Sequence, residues 1–240
     1  MKIEICANSY QSASNAVKAG ADRIELCAEL AVGGITPSHG VIEKVVQELV
    51  IPIYVLIRPR SGNFVYTSDE FDIMKKDIEY CKSIGCQGVV SGVLNQDNSI
   101  DVKRTKELIA LSRPMEFTFH RAFDWVMDPV KALDELTLIG VDRILTSGQE
   151  ISAIKGINLL KKLLNKSQSA LLIMPGGGIN VENVLAFKKS GFKEIHLSAT
   201  SLKKMMSNPK IPMCSKQFFD DTLMAVSDYD KILQIVKKIT

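Results

Sequence analysis

Short runs rich in isoleucine, valine and leucine recur along the chain, and between them apolar residues return at three- and four-residue spacing. The first pattern is that of a strand, the second that of a helix with one face on a core. Strands are predicted over residues 2–6, 23–27, 53–58, 88–91, 116–120, 143–147, 171–174 and 194–198. The stretches "GVIEKVVQELV" and "DPVKALDELTLIG" typify the helices between them. Punctuation agrees with this division. Thr36 before Pro37 and Asp128 before Pro129 read as an N-cap followed by a first-turn proline. Gly20, Gly85, Gly140 and Gly191 stand where a helix ends ahead of the next strand. The phrases "AGADRIEL", "IGCQGVV", "IGVDRIL" and "SGFKEIHL" reuse one helix-to-strand turn.

Eight strand–helix units in 240 residues fit a closed parallel barrel better than an open doubly wound sheet. The expectation is an α/β chain forming a single (β/α)₈ TIM barrel over residues 1–240, with an extended loop after strand 8. In such a barrel the C-terminal ends of the strands and the loops that follow carry the chemistry.

Side chains alternate across a strand, and the outer face of a barrel strand packs on helices. The near-repeat "IEIC" and "IELC" at residues 3–6 and 24–27 therefore sends Ile3, Ile5, Ile24 and Leu26 outward. Glu4, Cys6, Glu25 and Cys27 then point into the barrel, with Cys6 and Cys27 at equivalent positions of neighbouring strands, ~4.8 Å apart. By the same parity Phe117 and Phe119 face out, whereas Glu116, Thr118, His120 and His196 face in, and Arg58 arrives at the end of strand 3. Buried carboxylates need partners, and Arg58, Arg23 or a histidine would supply them to Glu4 and Glu25.

Two segments concentrate further chemistry. In "FHRAFD", His120 ends strand 5, Arg121 follows and Asp124 opens the loop. A histidine there moves protons, with a carboxylate to fix its tautomer. After strand 7, "MPGGGINVENV" brings Gly176, Gly177 and Gly178 together, with Asn180 able to cap the next helix. With Ser198 after strand 8 and Arg58 and Arg60 in "RPRSG", these form a candidate anion site. No strand ends in lysine, so a Schiff-base mechanism lacks its nucleophile. His39 falls in a loop or helix start.

Composition narrows the picture. Thirty basic and 27 acidic residues, net +3, are spread without a basic block, which argues against nucleic acid as a partner. No apolar run approaches the ~18 residues that span a bilayer, and the N-terminus enters a strand; a cytoplasmic protein without membrane partners is expected. Five cysteines, Cys6, Cys27, Cys81, Cys86 and Cys214, are an odd number for a disulfide framework and leave thiols for packing or metal.

The blocks "EICANS", "GADRIELCAEL", "GGITPS", "IRPRSGNF", "TFHRAFD" and "RILTSGQ" closely resemble the CutC family, named for copper homeostasis, from about Ile3 to Ser198. The resemblance implies a cytoplasmic (β/α)₈ protein, often oligomeric, associated with copper tolerance, with Cu(I) bound through cysteines; on this chain these are Cys6 and Cys27. It implies no settled activity. Two expectations follow. One is a copper-handling protein with Cu(I) on Cys6 and Cys27. The other is an enzyme acting on a small phosphorylated or carboxylated metabolite by acid–base chemistry, with Glu25, Arg58, His120 and Asp124 in the mouth and Gly176, Gly177, Gly178, Ser198 and Arg60 on the anion. Beyond Ser201 the resemblance is poor. There Met205, Met206, Met213 and Cys214 gather in a stretch too long for a simple loop, which reads as a lid or a contact between copies of the chain.

Overall fold

The eight expected strands form, each parallel to its neighbours: β1 (Lys2–Ala7), β2 (Arg23–Leu26), β3 (Ile53–Leu56), β4 (Gly88–Ser91), β5 (Glu116–Phe119), β6 (Arg143–Thr146), β7 (Leu172–Pro175) and β8 (Glu194–Leu197). The structure is a computed structural model, and it describes residues 1–167, 171–207, 209–215 and 220–239. Strand order runs β7-β6-β5-β4-β3-β2-β1-β8, and a single parallel bridge between Gly176 and His196 joins the two ends into a nearly closed TIM-barrel fold. The helices between strands are α1 (Tyr10–Lys18), α2 (His39–Glu48), α3 (Ser68–Ser83), α4 (Val102–Ser112), α5 (Pro129–Leu138), α6 (Ile157–Ser167) and α7 (Val184–Lys189), with α8 (Tyr229–Ile239) at the end.

Strand parity holds. Ile3, Ile5, Ile24, Leu26, Phe117, Phe119, Ile195 and Leu197 lie in the apolar layer between strands and helices, whose burial is the main driving force for the fold. Helix ends behave as the punctuation predicts, with one exception. Asp128 accepts from the N–H groups of Val130 and Lys131 around Pro129. Gly20, Gly85, Gly140 and Gly191 take φ of +86°, +84°, +83° and +87°, where a Cβ would be strained. Thr36 is the exception: α2 starts two residues past Pro37, behind Ser38. The Thr36 hydroxyl instead accepts the Arg58 N–H at 2.9 Å, tying the β2–α2 loop to the end of β3.

The register corrects the reading of the two strand repeats. Cys6 lies level with Glu25, and Glu4 with Arg23, so the second repeat is displaced by two residues relative to the first. Strands that close a barrel must tilt and stagger, and this shear moves like residues of adjacent strands to different heights.

After β8 the chain makes an antiparallel excursion, β9 (Thr200–Lys204) and β10 (Leu223–Ser227), before α8. Its base is fastened to the first βα unit. The Ser227 hydroxyl donates to the Cys6 carbonyl at 3.1 Å, the Ser12 hydroxyl accepts from the Ser227 N–H at 3.0 Å, and the Asn15 amide donates to the Ser227 carbonyl at 2.9 Å. Met205, Met206, Ile211 and Met213 beyond it are exposed. Residues 208 and 216–219 of this excursion lie outside the described residues. Among the described residues no helix is long and apolar enough to cross a membrane.

Candidate functional site

The barrel interior is built in polar layers. Lowest is a lattice of charges, buried except for the half-exposed Glu116. Glu194 accepts from Arg23 at 2.7 Å and from Arg143 at 2.5 Å, and Arg143 reaches Glu116 at 3.0 Å. The Tyr54 hydroxyl donates to Glu116, and the Tyr54 ring lies beneath both guanidinium groups, 4.6 Å from Arg23 and 5.4 Å from Arg143. Burial would raise the Glu194 carboxyl, but the two arginines bring it below the usual range. Each charge has a partner, as a low-dielectric interior requires.

One layer up, Glu4 holds Arg23 with one oxygen and His196 Nδ1 with the other, the latter at 2.7 Å. Burial pushes the Glu4 carboxyl up, yet Arg23 and His196 outweigh it and hold it down to about 2, so it is ionised. The other ring nitrogen of His196, Nε2, stands 3.3 Å from Glu25. Burial opposes charge on His196, but Glu25, the Cys6 thiol and Glu4 raise its pKa well above the ordinary histidine value. Glu25 is itself raised by burial and by the Glu4 charge, against the pull of His196. Glu4 and Glu25 thus find their partners in Arg23 and His196, and not in Arg58.

At the top of this column the Cys6 and Cys27 sulfurs meet at 3.5 Å despite the stagger of their strands. The bond to Cys27 and burial push the Cys6 thiol well above its usual range. Ligand atoms of Cys6, Glu25 and His196 all lie within 4.8 Å of one another. Cys81 and Cys86 pack between sheet and helices, away from the mouth.

Above the column opens a cleft of about 420 Å³, lined among others by Cys6, Glu25, His196, Arg58, His120 and Arg121. Arg58 is buried, and its two Nη groups donate to the carbonyls of Val32, Gly34 and Gly62 at 2.7–2.9 Å, which fixes the loop walls. His120 Nδ1 accepts the Ala122 N–H at 3.2 Å, leaving the proton on Nε2. Burial and the Arg58 charge hold His120 neutral, its pKa lowered to about 3. Asp124 does not set this tautomer. It accepts from Thr146 Oγ1, the Ser147 N–H and hydroxyl, the Gln149 N–H and Arg121, and so anchors the β6 loop and the arginine.

Of the expected anion residues, Gly177, Gly178 and Ser198 line the cleft. Gly176 is spent on the bridge that closes the barrel. Arg60 turns outward to Glu70 at 2.5 Å and to the Val65 carbonyl at 2.9 Å. Asn180 caps locally, accepting from the Glu182 and Asn183 N–H groups. His39 is stacked on Tyr80 at the surface, 3.7 Å between ring centres.

The CutC family model matches residues 1–201. The chain belongs to the CutC family. A human relative, copper homeostasis protein cutC homolog, is 42% identical over 234 residues, spanning 96% of this chain and 86% of its own. A family protein CutC of Photorhabdus laumondii is 47% identical over 201 residues, spanning 84% of this chain and 81% of its own. The crystal structure of a CutC protein from Streptococcus agalactiae superposes with a TM-score of 0.79 at 35% identity, covering 82% of this chain and 98% of that one. The family match ends near the start of the β9–β10 excursion, where the sequence resemblance also fades.

Strand alternation sends His196 inward without marking it as part of the site, and "FHRAFD" presents Arg121 only as the neighbour of His120. His196 is the hub between Glu4, Glu25 and Cys6. A histidine at an inward position of the strand that closes the barrel next to β1 was the available signal.

Proposed function

We propose that this chain serves copper homeostasis by holding Cu(I) on the thiolates of Cys6 and Cys27, with His196 as a neighbouring third donor. The observation that carries this reading is the 3.5 Å approach of the two sulfurs, Cys6 in the lining of the cleft and Cys27 buried beside it. Two sulfurs and an imidazole are donors of the softness that Cu(I) prefers. Glu4 takes the Nδ1–H of His196 and aims Nε2 at Cys6 and Glu25, the arrangement by which a carboxylate orients a histidine ligand. Glu25 is an oxygen donor poorly matched to Cu(I), and its place beside Cys6 and His196 suits it to receive a proton released on loading. Relatives carrying the name copper homeostasis protein support the assignment. Reduced thiols fit a cytoplasmic setting, and the exposed Met205, Met206, Ile211 and Met213 fit a contact between copies of the chain.

The test is competition of the reduced protein against a Cu(I) chelator. One ion per chain is expected, lost in Cys6→Ser and in Cys27→Ser, with affinity rising as pH rises because bound thiol protons must leave. Unchanged stoichiometry in both variants overturns the reading.

A second reading is favoured by the coupled Glu25–His196 pair facing a cleft of metabolite size: acid–base chemistry on a small anionic molecule. Here Glu25 and His196 exchange the proton, while His120, held neutral, donates a hydrogen bond. Arg58 shapes the wall and contributes positive charge, and Asp124 positions Arg121.

A further inference from the structure

The part of the cleft wall around Arg58 and His120 has an unbalanced composition. Arg58 is buried, its Nη groups bond only backbone carbonyls, and it has no carboxylate partner among the described residues. A guanidinium so placed puts an uncompensated positive charge behind the wall. His120 stands near it across the Phe64 ring, which lies 5.1 Å from the Arg58 guanidinium carbon and 4.8 Å from the His120 ring. The Nε2 of His120 is a buried donor without a partner among the described residues. Leaving such a group unpaired costs stability, which a ligand acceptor would recover.

Arg121 adds the second cation. Its Nε is fixed by Asp124 at 2.7 Å and its Nη2 by the Ser147 hydroxyl at 3.0 Å, while it remains half-exposed in the cleft wall. It lies over the turn after β7, where a Cβ on Gly177 would stand 3.6 Å from its Nη1. Gly177 and Gly178 take φ of +107° and +71°, a backbone path that L side chains rarely follow. This turn and Ser198 follow β7 and β8, the position from which many (β/α)₈ barrels grip phosphate. Trp125, half-exposed, stands edge-on to Phe64 at 4.9 Å between ring centres and gives the same cleft an aromatic flank. Among the described residues two carboxylates line the cleft and both are paired, Glu25 with His196 and Asp124 with Arg121 and the β6 loop, so the unpaired positive charge of the wall is that of Arg58.

We propose that the cleft binds a small organic phosphate, its phosphoryl group on Arg121, His120 and the Gly177–Gly178 turn and its organic body against Trp125 and Phe64. Two separated cationic groups and a neutral N–H donor suit an anion with three free oxygens better than the two of a carboxylate. The proposal rests on the second reading for the anionic character of the ligand. Binding is measured without turnover, so a bound ligand that undergoes no reaction counts against that reading and not against this one.

The experiment is calorimetric titration of the metal-free protein with phenyl phosphate, inorganic phosphate and benzoate. Saturable binding of phenyl phosphate is expected, with benzoate weaker by about ten-fold. Arg121→Gln should weaken both phosphates by about ten-fold. Trp125→Ala, a change at the surface, should weaken phenyl phosphate and leave inorganic phosphate as it was. Phenyl phosphate that fails to saturate, or that binds Arg121→Gln as well as the parent chain, overturns the proposal. Benzoate binding as tightly as phenyl phosphate overturns the phosphate assignment.

Discussion

Glu4 and His196, 192 positions apart in sequence, meet at 2.7 Å inside the barrel, and the same carboxylate holds Arg23 with its second oxygen. One side chain therefore couples the buried charge lattice below to the histidine that faces the mouth. Its charge is fixed by those two neighbours.

Glu4→Gln keeps the shape and removes the charge, leaving Arg23 and His196 undercompensated in the interior. A loss of about 3–5 kcal/mol is expected by urea denaturation, the cost of breaking a buried pair from one side. The parent chain should also lose stability in acid. Glu4 falls from an ordinary 4.5 to about 2 on folding, so its contribution is complete above 4.5 and disappears as pH drops through 2. The variant should lack that part of the acid slope; an unchanged slope would show that Glu4 is not ionised in the folded chain.

His120 makes an opposite demand. Its pKa is lowered from 6.5 to about 3 on folding, so the unfolded chain takes up a proton that the folded chain refuses. This group costs the fold nothing above 6.5 and progressively more as pH falls from 6.5 toward 3. By NMR its ring signals should stay fixed from about pH 8 to about pH 5, with the proton on Nε2. A titration midpoint near the ordinary value would contradict the burial of the ring and the field of Arg58.

Gly88→Ala tests the floor of the barrel. A Cβ there would stand 2.5 Å from the Tyr54 ring, which is itself confined beneath Arg23 and Arg143 and bonded to Glu116. Overpacking at such a site costs about 1–3 kcal/mol. Tyr54→Leu in the same chain should cancel most of the effect of the alanine, and additive losses would show that ring and glycine do not compete for one space.

Much of the site was legible before folding was considered. Period-two alternation sent Glu4, Cys6, Glu25, Cys27, Glu116 and His120 inward, because apolar partners on one strand face force the other face to the interior. What alternation leaves open is height. Arg58 was expected to face an anion or answer the buried glutamates, yet three loop carbonyls claim its Nη groups. Asp124 was expected at His120, and the β6 turn claims it instead. Backbone acceptors carry no residue-type signature, so neither outcome could be read from side-chain identities.

The sequence by itself determined the element order, the barrel, the inward set and the family, since each depends on local periodicity, turn chemistry or ordered motif blocks. Tertiary structure alone decided which inward residues meet. Barrel shear set Cys6 level with Glu25, closure brought β8 and His196 to Glu4, and the two thiols converged although their strands are staggered. The reason is geometric: register across parallel strands is fixed by the tilt that closes the barrel, a property of all eight strands together.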